Sequence, residues 1–316
     1  MTQTTLWYVN DKERDFKAME AQLAKGPFFS NSDNYPNFDI RAKVSNQKLV
    51  ISDSEVQFNI YEYSFDGPTT GTRITGTLIM FCMQEKIGFI VDKASYRNAL
   101  SFLRELCGYS GKKKTIVCKE YDTSIRDGSM FLWIISKIYH NESNIEYDTE
   151  HNTSNITLNS LDGVKGNIQM GLNSVSTQGS DVINTLTTLA FLLESKRLTE
   201  VGLNISFGTH KSIQLDIHTH NKLISLDVEP DVYIGELSNN QNLFPNGGID
   251  LFILRGAILL IAHLGIIPLL NALYKSESDG TMIRTELVSD ISEDITQRIK
   301  ELRDSANLGE NTKLDI

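Results

Sequence analysis

Two histidines and an aspartate alternate along one segment of the chain in a pattern that suits metal binding. Asp216, His218 and His220 are each two residues apart in QLDIHTH, whose alternation predicts a β-strand. Side chains two residues apart on a strand point to the same face. Imidazole and carboxylate groups are ligands that zinc and related metals accept, so the pattern predicts a metal site and a metal-dependent hydrolase or nuclease. The alternative is an amphipathic strand whose polar face is simply solvated.

A second set of residues suits contacts with phosphate groups. Eight basic residues and two acidic ones lie between Lys86 and Lys119, a local net charge of +6 in a chain of formal net charge −10. Such a patch allows an acidic protein to bind a polyanion through charge alone. The predicted contacts to nucleic-acid phosphates are Lys112, Lys113, Lys114, Lys119, Arg97 and Arg104. The alternative is a helix and a turn that carry ordinary solvated cations.

The sequence contains no motif for covalent catalysis. The segment GYSGKKKT at 108–115 does not have the G-x-x-x-x-G-K-[ST] spacing of a phosphate-binding loop. The whole sequence also lacks a G-x-S-x-G elbow and an H-E-x-x-H pair. We therefore predict no catalytic residue and no cofactor, and we favour a binding or sensing protein over an enzyme.

Cysteine content and the N-terminal residues indicate a reducing compartment. The three cysteines, Cys82, Cys107 and Cys118, are an odd number without C-x-x-C spacing, so no disulfide framework is predicted. Cys118 is expected to be a core thiol, although Lys119 beside it is a residue type that lowers thiol pKa values. The first residues, MTQTTLWYVNDKERDFK, do not have the basic and apolar regions of a signal peptide. We therefore expect a cytoplasmic protein.

Hydrophobic periodicity predicts an α+β fold with mixed, mainly antiparallel sheets, packed helices and two lobes. Alternating apolar residues predict strands at 49–52, 56–65, 74–83 and 86–92. A helix is predicted between Ser95 and Gly108, which have the residue types of an N-cap and a C-terminal stop. The apolar run 130–139 fits either a buried strand or a helix. Strands and helices do not alternate regularly, which argues against a doubly wound sheet.

A polar stretch divides the sequence into two predicted domains. Residues 140–155, HNESNIEYDTEHNTSN, are predicted to be a polar linker. Residues 1–139 are then an N-terminal α+β domain that carries the basic patch at 86–119. Residues 156–316 are a C-terminal α+β domain.

The apolar segment 249–274 is long enough to span a bilayer. However, it contains Arg255 and His263, and two glycines and a proline interrupt it. A buried core helix, or a helix pair at a dimer interface, is therefore favoured over a membrane-contacting segment. If the segment is buried, Arg255 must find a carboxylate or carbonyl partner, because an unpaired internal charge is very costly.

The final predicted helix has a continuous apolar stripe. Its members are Ile283, Leu287, Ile291, Ile295, Ile299 and Leu302. The stripe predicts packing into the core or contact with a partner helix. We therefore expect a homo-oligomer that forms through 249–274 or through this long C-terminal amphipathic helix.

Parts of the chain resemble the RexA-like phage-exclusion proteins. In TLIMFCMQEKIGFIVDKASYRNALSFLREL a strand with an IGF turn leads to a helix with a leucine stripe, and the matching residues are Ile87, Gly88, Phe89, Leu100 and Leu103. GKKKTIVCKEYDTSIRDG follows as the basic strand, and VINTLTTLAFLLESKRLTEVGLNISF lies where that family has a helix and a strand. The resemblance implies abortive infection, DNA binding and a membrane partner. The acidic net charge and the apolar run at 249–274 depart from that family.

These observations predict a cytoplasmic sensor or adaptor protein of a bacterial or phage-encoded antiviral defence system. It would bind nucleic acid without sequence preference through the basic patch and act with a partner protein, through which it would associate with a membrane. The alternatives are the metal-dependent hydrolase or nuclease and a purely structural subunit of a larger assembly.

Overall fold

A single antiparallel sheet organises the chain. The computed structural model describes residues 3–11, 14–24, 34–93, 95–109, 115–120, 128–148, 153–168, 175–178, 183, 185–220, 223–277 and 280–311. The strands within them are β1 (Thr4–Val9), β2 (Asp39–Ile51), β3 (Ser54–Asp66), β4 (Arg73–Met83), β5 (Lys86–Val91), β6 (Ile116–Cys118), β7 (Asn144–Asp148), β8 (Thr153–Ile168), β9 (Val175–Gln178), β10 (Ser195–Phe207), β11 (His210–His220) and β12 (Leu223–Glu229). Their order across the sheet is β2-β3-β4-β5-β1-β12-β11-β10-β8-β7, with β6 beside β1 and β9 beside β8.

Helices pack on this sheet and confirm the predicted α+β class. They are α1 (Phe16–Ala24), α2 (Tyr96–Leu106), α3 (Ser129–Tyr139), α4 (Leu186–Glu194), α5 (Leu251–Ile261), α6 (Ile267–Glu277) and α7 (Gly280–Asn311). The segment 130–139, which fitted either structure, is therefore a helix. It buries Met130, Phe131 and Ile134 at once, which leaves no clear period in its sequence.

The two faces of the sheet are covered by different helices. On one face α1 and α2 pack over β3, β4 and β5, around Trp7, Phe89 and Phe102. On the other face α3, α4, α5, α6 and the first half of α7 form the larger core, which extends from Phe58 in β3 to Leu215 in β11. Alternation along each strand produces this division, because successive side chains point to opposite faces.

The sheet is continuous across the two predicted domains. β1 pairs with β5 on one side, where Thr5 lies opposite Val91, and with β12 on the other, where Thr4 lies opposite Leu226. The predicted linker at 140–155 contains β7 and the first residues of β8, which pair with each other. The division into two domains stays a prediction.

The apolar segment 249–274 lies in a buried core helix, one of the two arrangements favoured from the sequence. The continuous helix Leu251–Glu277 has the length and hydropathy of a membrane span, but 83 % of its most apolar window is buried inside the protein. This burial is compatible with a soluble protein. Gly256 lets α5 approach β3, because a Cβ there would lie 2.8 Å from Ile60 Cδ1. A π-helical turn, Ala262–Ile266, precedes Pro268, whose missing N–H such a turn accommodates.

Two polar residues of this helix form hydrogen bonds with residues of the strands beneath it. The Arg255 guanidinium donates to the Asp227 carboxylate of β12, with Nη2 to Oδ1 at 2.7 Å. This contact confirms that the buried arginine has a carboxylate partner. His263 is fully buried, and its Nε2 lies 3.0 Å from Thr4 Oγ1. The Thr4 hydroxyl already donates to the Leu226 carbonyl at 2.9 Å, so the histidine must donate through Nε2–H.

Burial of His263 predicts acid sensitivity. Desolvation lowers the pKa of this imidazole from 6.5 to about 3. The folded state therefore binds fewer protons than the unfolded state, so this contribution to stability is present above about pH 6.5 and is lost as the pH falls toward 3. Between about pH 7 and about pH 4.5 we expect wild type to lose about 3 kcal/mol more unfolding free energy than His263→Gln does, measured by urea denaturation. Parallel losses in the two proteins would contradict the assignment.

The C-terminal helix α7 has an apolar stripe that is only partly covered. Leu287 and Ile291 are buried in the larger core. Further along the same stripe, Ile299 is 47 % exposed and Leu302 is 66 % exposed. The first half of α7 is thus a core element, and its second half presents apolar side chains to solvent.

Candidate nucleic-acid interface

Helix α2 and strand β6 lie side by side and carry the described part of the basic patch. The helix follows Ser95, which takes the N-cap position, and it buries Ala99, Phe102, Leu103 and Leu106 against the smaller core. Arg97 and Arg104 are seven residues apart, so they lie on roughly the same face of the helix, about two turns from each other. Strand β6 also pairs with β1, and Trp7 of β1 lies opposite Cys118 of β6.

The predicted phosphate contacts differ in their exposure. Arg97 is exposed, whereas Arg104 and Lys119 are half-buried. The Nε atom of Arg104 is buried and has no hydrogen-bond partner among the described residues. Lys112, Lys113 and Lys114 lie outside the described residues.

The residues on either side of segment 110–114, which contains the three lysines, form hydrogen bonds with the residues that follow β1. Tyr109 is buried, and its hydroxyl donates to Asp11 Oδ2 at 2.7 Å. The Thr115 carbonyl accepts from the Asn10 backbone N–H at 2.7 Å. Arg14 adds to this anchor, because its guanidinium lies 4.7 Å from the centre of the Tyr109 ring. Tyr109 and Thr115 are therefore both held beside the residues that follow β1.

A cavity of about 1060 Å³ opens next to this anchor. It is lined by both kinds of charge, with the cations Arg14, Lys86 and Lys119 and the carboxylates Asp11, Asp15, Glu85 and Glu120. Because carboxylates outnumber cations, the cavity itself does not attract phosphate. Among the predicted phosphate contacts that the structure describes, Lys119 lines this cavity, and Arg97 and Arg104 do not.

A smaller pocket between α2 and β6 contains a residue that the sequence analysis did not select. Tyr96 lines it together with Arg104, Ile116, Val117, Cys118 and Glu120. The Tyr96 ring is 49 % exposed. The only signal in the sequence was the position of Tyr96, directly before Arg97 at the start of a basic helix. A single aromatic residue beside an arginine is too common to be informative.

The thiols in this region are core groups. Burial, followed by the charge of Glu120, raises the pKa of Cys118 to about 12. Lys119 beside it therefore does not produce a reactive thiolate. All three cysteines are free, as the odd count predicted.

The strand with Asp216 and His218 presents a polar face, as its alternation predicted. Ile213, Leu215 and Ile217 are buried on the opposite face. His218 Nδ1 lies 2.8 Å from Glu200 Oε2 on β10, directly across the strand pair. The sequence analysis missed Glu200, because only the β10–β11 register brings it beside His218.

Glu200 on this face is paired with two basic side chains of the protein, His218 and Lys165. Lys165 Nζ also contacts Glu200, at 2.5 Å. Burial raises the pKa of Glu200, but hydrogen bonds from His218 and Lys165 outweigh burial, and the net pKa is lowered. Among the described residues no group of three or more histidine, cysteine or acidic side chains is arranged to hold a metal ion. The side chain of His220 lies outside those residues, so the metal site stays a prediction.

Comparison with known proteins gives no family assignment. No protein-family model matches the chain, and no curated protein matches it in sequence. The resemblance to RexA-like proteins therefore stays a prediction.

Proposed function

We propose that this chain is a sensor or adaptor of a bacterial or phage-encoded antiviral defence system that binds nucleic acid through its basic patch. Binding is independent of sequence, because side chains that contact phosphates carry no information about bases. The protein acts in the cytoplasm together with a partner protein, through which it associates with a membrane. It acts by binding and not by catalysis.

One observation carries this proposal. Helix α2, which carries Arg97 and Arg104, packs beside β6, and Lys119 follows directly after that strand. Three of the predicted phosphate contacts thus belong to two neighbouring elements of an acidic protein, and the three lysines lie between those elements in the sequence. Phosphate contacts need positive charge more than they need exact geometry, which suits such a surface.

The exposed half of α7 supports the proposal of an oligomer. The apolar surface of segment 249–274 is already buried in the core of its own chain. The C-terminal helix is therefore the better candidate for self-association. Ile299 and Leu302 continue a stripe whose earlier residues are buried. A second copy of the chain that covered Ile299 and Leu302 would extend the packing already present between α7 and the larger core.

Charge reversal of the lysine segment tests the proposal. We expect Lys112→Glu, Lys113→Glu and Lys114→Glu together to weaken binding to DNA and RNA about 100-fold or more at low salt, because three phosphate contacts become repulsive. The melting temperature should stay nearly unchanged. Fluorescence anisotropy with labelled oligonucleotides, repeated over a series of salt concentrations, measures both the affinity and its salt slope.

The matched control carries the same charge change elsewhere. Lys211, Lys275 and Lys300 are exposed and lie outside the patch. Their replacement by Glu should weaken binding far less than the patch variant does. Equal losses in the two triple variants, or no wild-type affinity at low salt, would rule out the patch as a nucleic-acid site.

A further inference from the structure

We infer that the pocket between α2 and β6 takes an unpaired nucleobase, stacked on the ring of Tyr96, so that the nucleic acid recognised is single-stranded. This inference rests on the proposed function and specifies its substrate class. Tyr96, Val117 and Glu120 of this pocket are not among the predicted phosphate contacts, whereas Arg104 is one of them and lines the pocket as well.

Tyr96 has the placement of a stacking platform. One side of its ring is fixed by the fully buried Trp7, with ring centres 5.2 Å apart and planes inclined by 47°. About half of the side chain remains open to solvent, at 49 % exposure. A supported aromatic ring with a free face loses little conformational freedom when a base stacks on it, and stacking of this kind tolerates every base.

The other walls of the pocket complete a site for a flat, partly polar ring. Val117 is 36 % exposed and provides an apolar wall. Arg104 contributes a buried Nε–H that has no acceptor among the described residues. A buried donor without an acceptor is costly, and the carbonyl oxygens and ring nitrogens of a nucleobase are suitable acceptors.

The pocket is lined by one cation, Arg104, and one carboxylate, Glu120, so it does not select phosphate by charge. Glu120 lines the pocket, and its carboxylate repels phosphate while it can accept a hydrogen bond from a base amino group. Phosphates are better placed outside, near the exposed Arg97. In a duplex the faces of each base are already stacked on its neighbours, so only an unpaired base can enter.

Substitutions of Tyr96 test this inference on the full-length chain. We expect wild type to bind a 15-nucleotide single strand at least about 10-fold more tightly than a duplex of the same length at equal salt. Tyr96→Ala should weaken single-strand binding about 10-fold to 100-fold and leave duplex binding unchanged, whereas Tyr96→Phe should keep wild-type affinity. Asn98→Ala is the matched control, since Asn98 is exposed on the same helix and does not line the pocket.

Crosslinking identifies the contact directly. A single strand that carries 5-iododeoxyuridine should crosslink to the peptide that contains Tyr96, and unlabelled single strand should compete better than duplex. Single-strand affinity of Tyr96→Ala equal to that of wild type, or equal losses for single strand and duplex, would overturn the stacked base. If those results came with a lysine variant that still lost binding, the proposed function would stand and only this inference would fail. Absence of wild-type binding to any nucleic acid would overturn both.

Discussion

Replacement of Ile258 by Asp is expected to prevent folding, or to lower the free energy of unfolding by more than about 4 kcal/mol. Ile258 lies in α5 and is 1 % exposed within the larger core. A carboxylate there would lose its hydration without gaining a partner. Yield in the soluble fraction and melting followed by circular dichroism measure the effect.

The same apolar segment offers a matched control. Ile249 is 48 % exposed and lies just before Asp250, the N-cap of α5. Ile249→Asp should therefore purify and melt like wild type. Wild-type behaviour of Ile258→Asp, or recovery of the unaltered protein only with detergent, would contradict the buried position of the segment.

Replacement of Arg255 by Met is expected to lower the free energy of unfolding by about 3–5 kcal/mol. The Arg255 and Asp227 side chains are 16 % and 7 % exposed, so removal of the cation leaves a nearly buried carboxylate without it. Adding Asp227→Asn should restore part of the lost free energy of unfolding, because the unpaired Asp227 carboxylate is then absent. Urea denaturation of both single variants and the double variant measures this coupling.

A surface ion pair provides the comparison. Arg298 and Asp294 are 2.8 Å apart, with side chains 36 % and 27 % exposed. Arg298→Met should cost less than about 1 kcal/mol, because solvent screens exposed pairs. Equal losses for Arg255→Met and Arg298→Met, or a loss in the double variant equal to the sum of the two single losses, would show that Arg255 and Asp227 do not stabilise each other.

The candidate site was predictable only where charge is local in the sequence. The run of three lysines and the spacing of Arg97 and Arg104 are visible without a structure. Tyr96 and Glu200 were not found, because each acquires its role from a neighbour that is distant in the sequence. Trp7 supports Tyr96 from β1, and His218 meets Glu200 only through strand register.

The sequence by itself determined the type of most elements, the face of each strand that is buried and the need of Arg255 for a partner. These properties depend on side-chain period and on the cost of an unpaired charge, both of which act at short range. Periodicity could not decide the structure of 130–139, because the six consecutive apolar residues at 130–135 leave no polar position to mark a period.

Only the tertiary structure decided which strands are neighbours and what covers the apolar segment 249–274. β1 lies between β5 and β12, which are about 130 residues apart along the chain, and nothing in the sequence of β1 specifies those partners. An apolar helix has the same composition in a bilayer and in a protein core. Its environment here follows from the larger core, where the strands of both halves of the chain supply the apolar surface on which it packs.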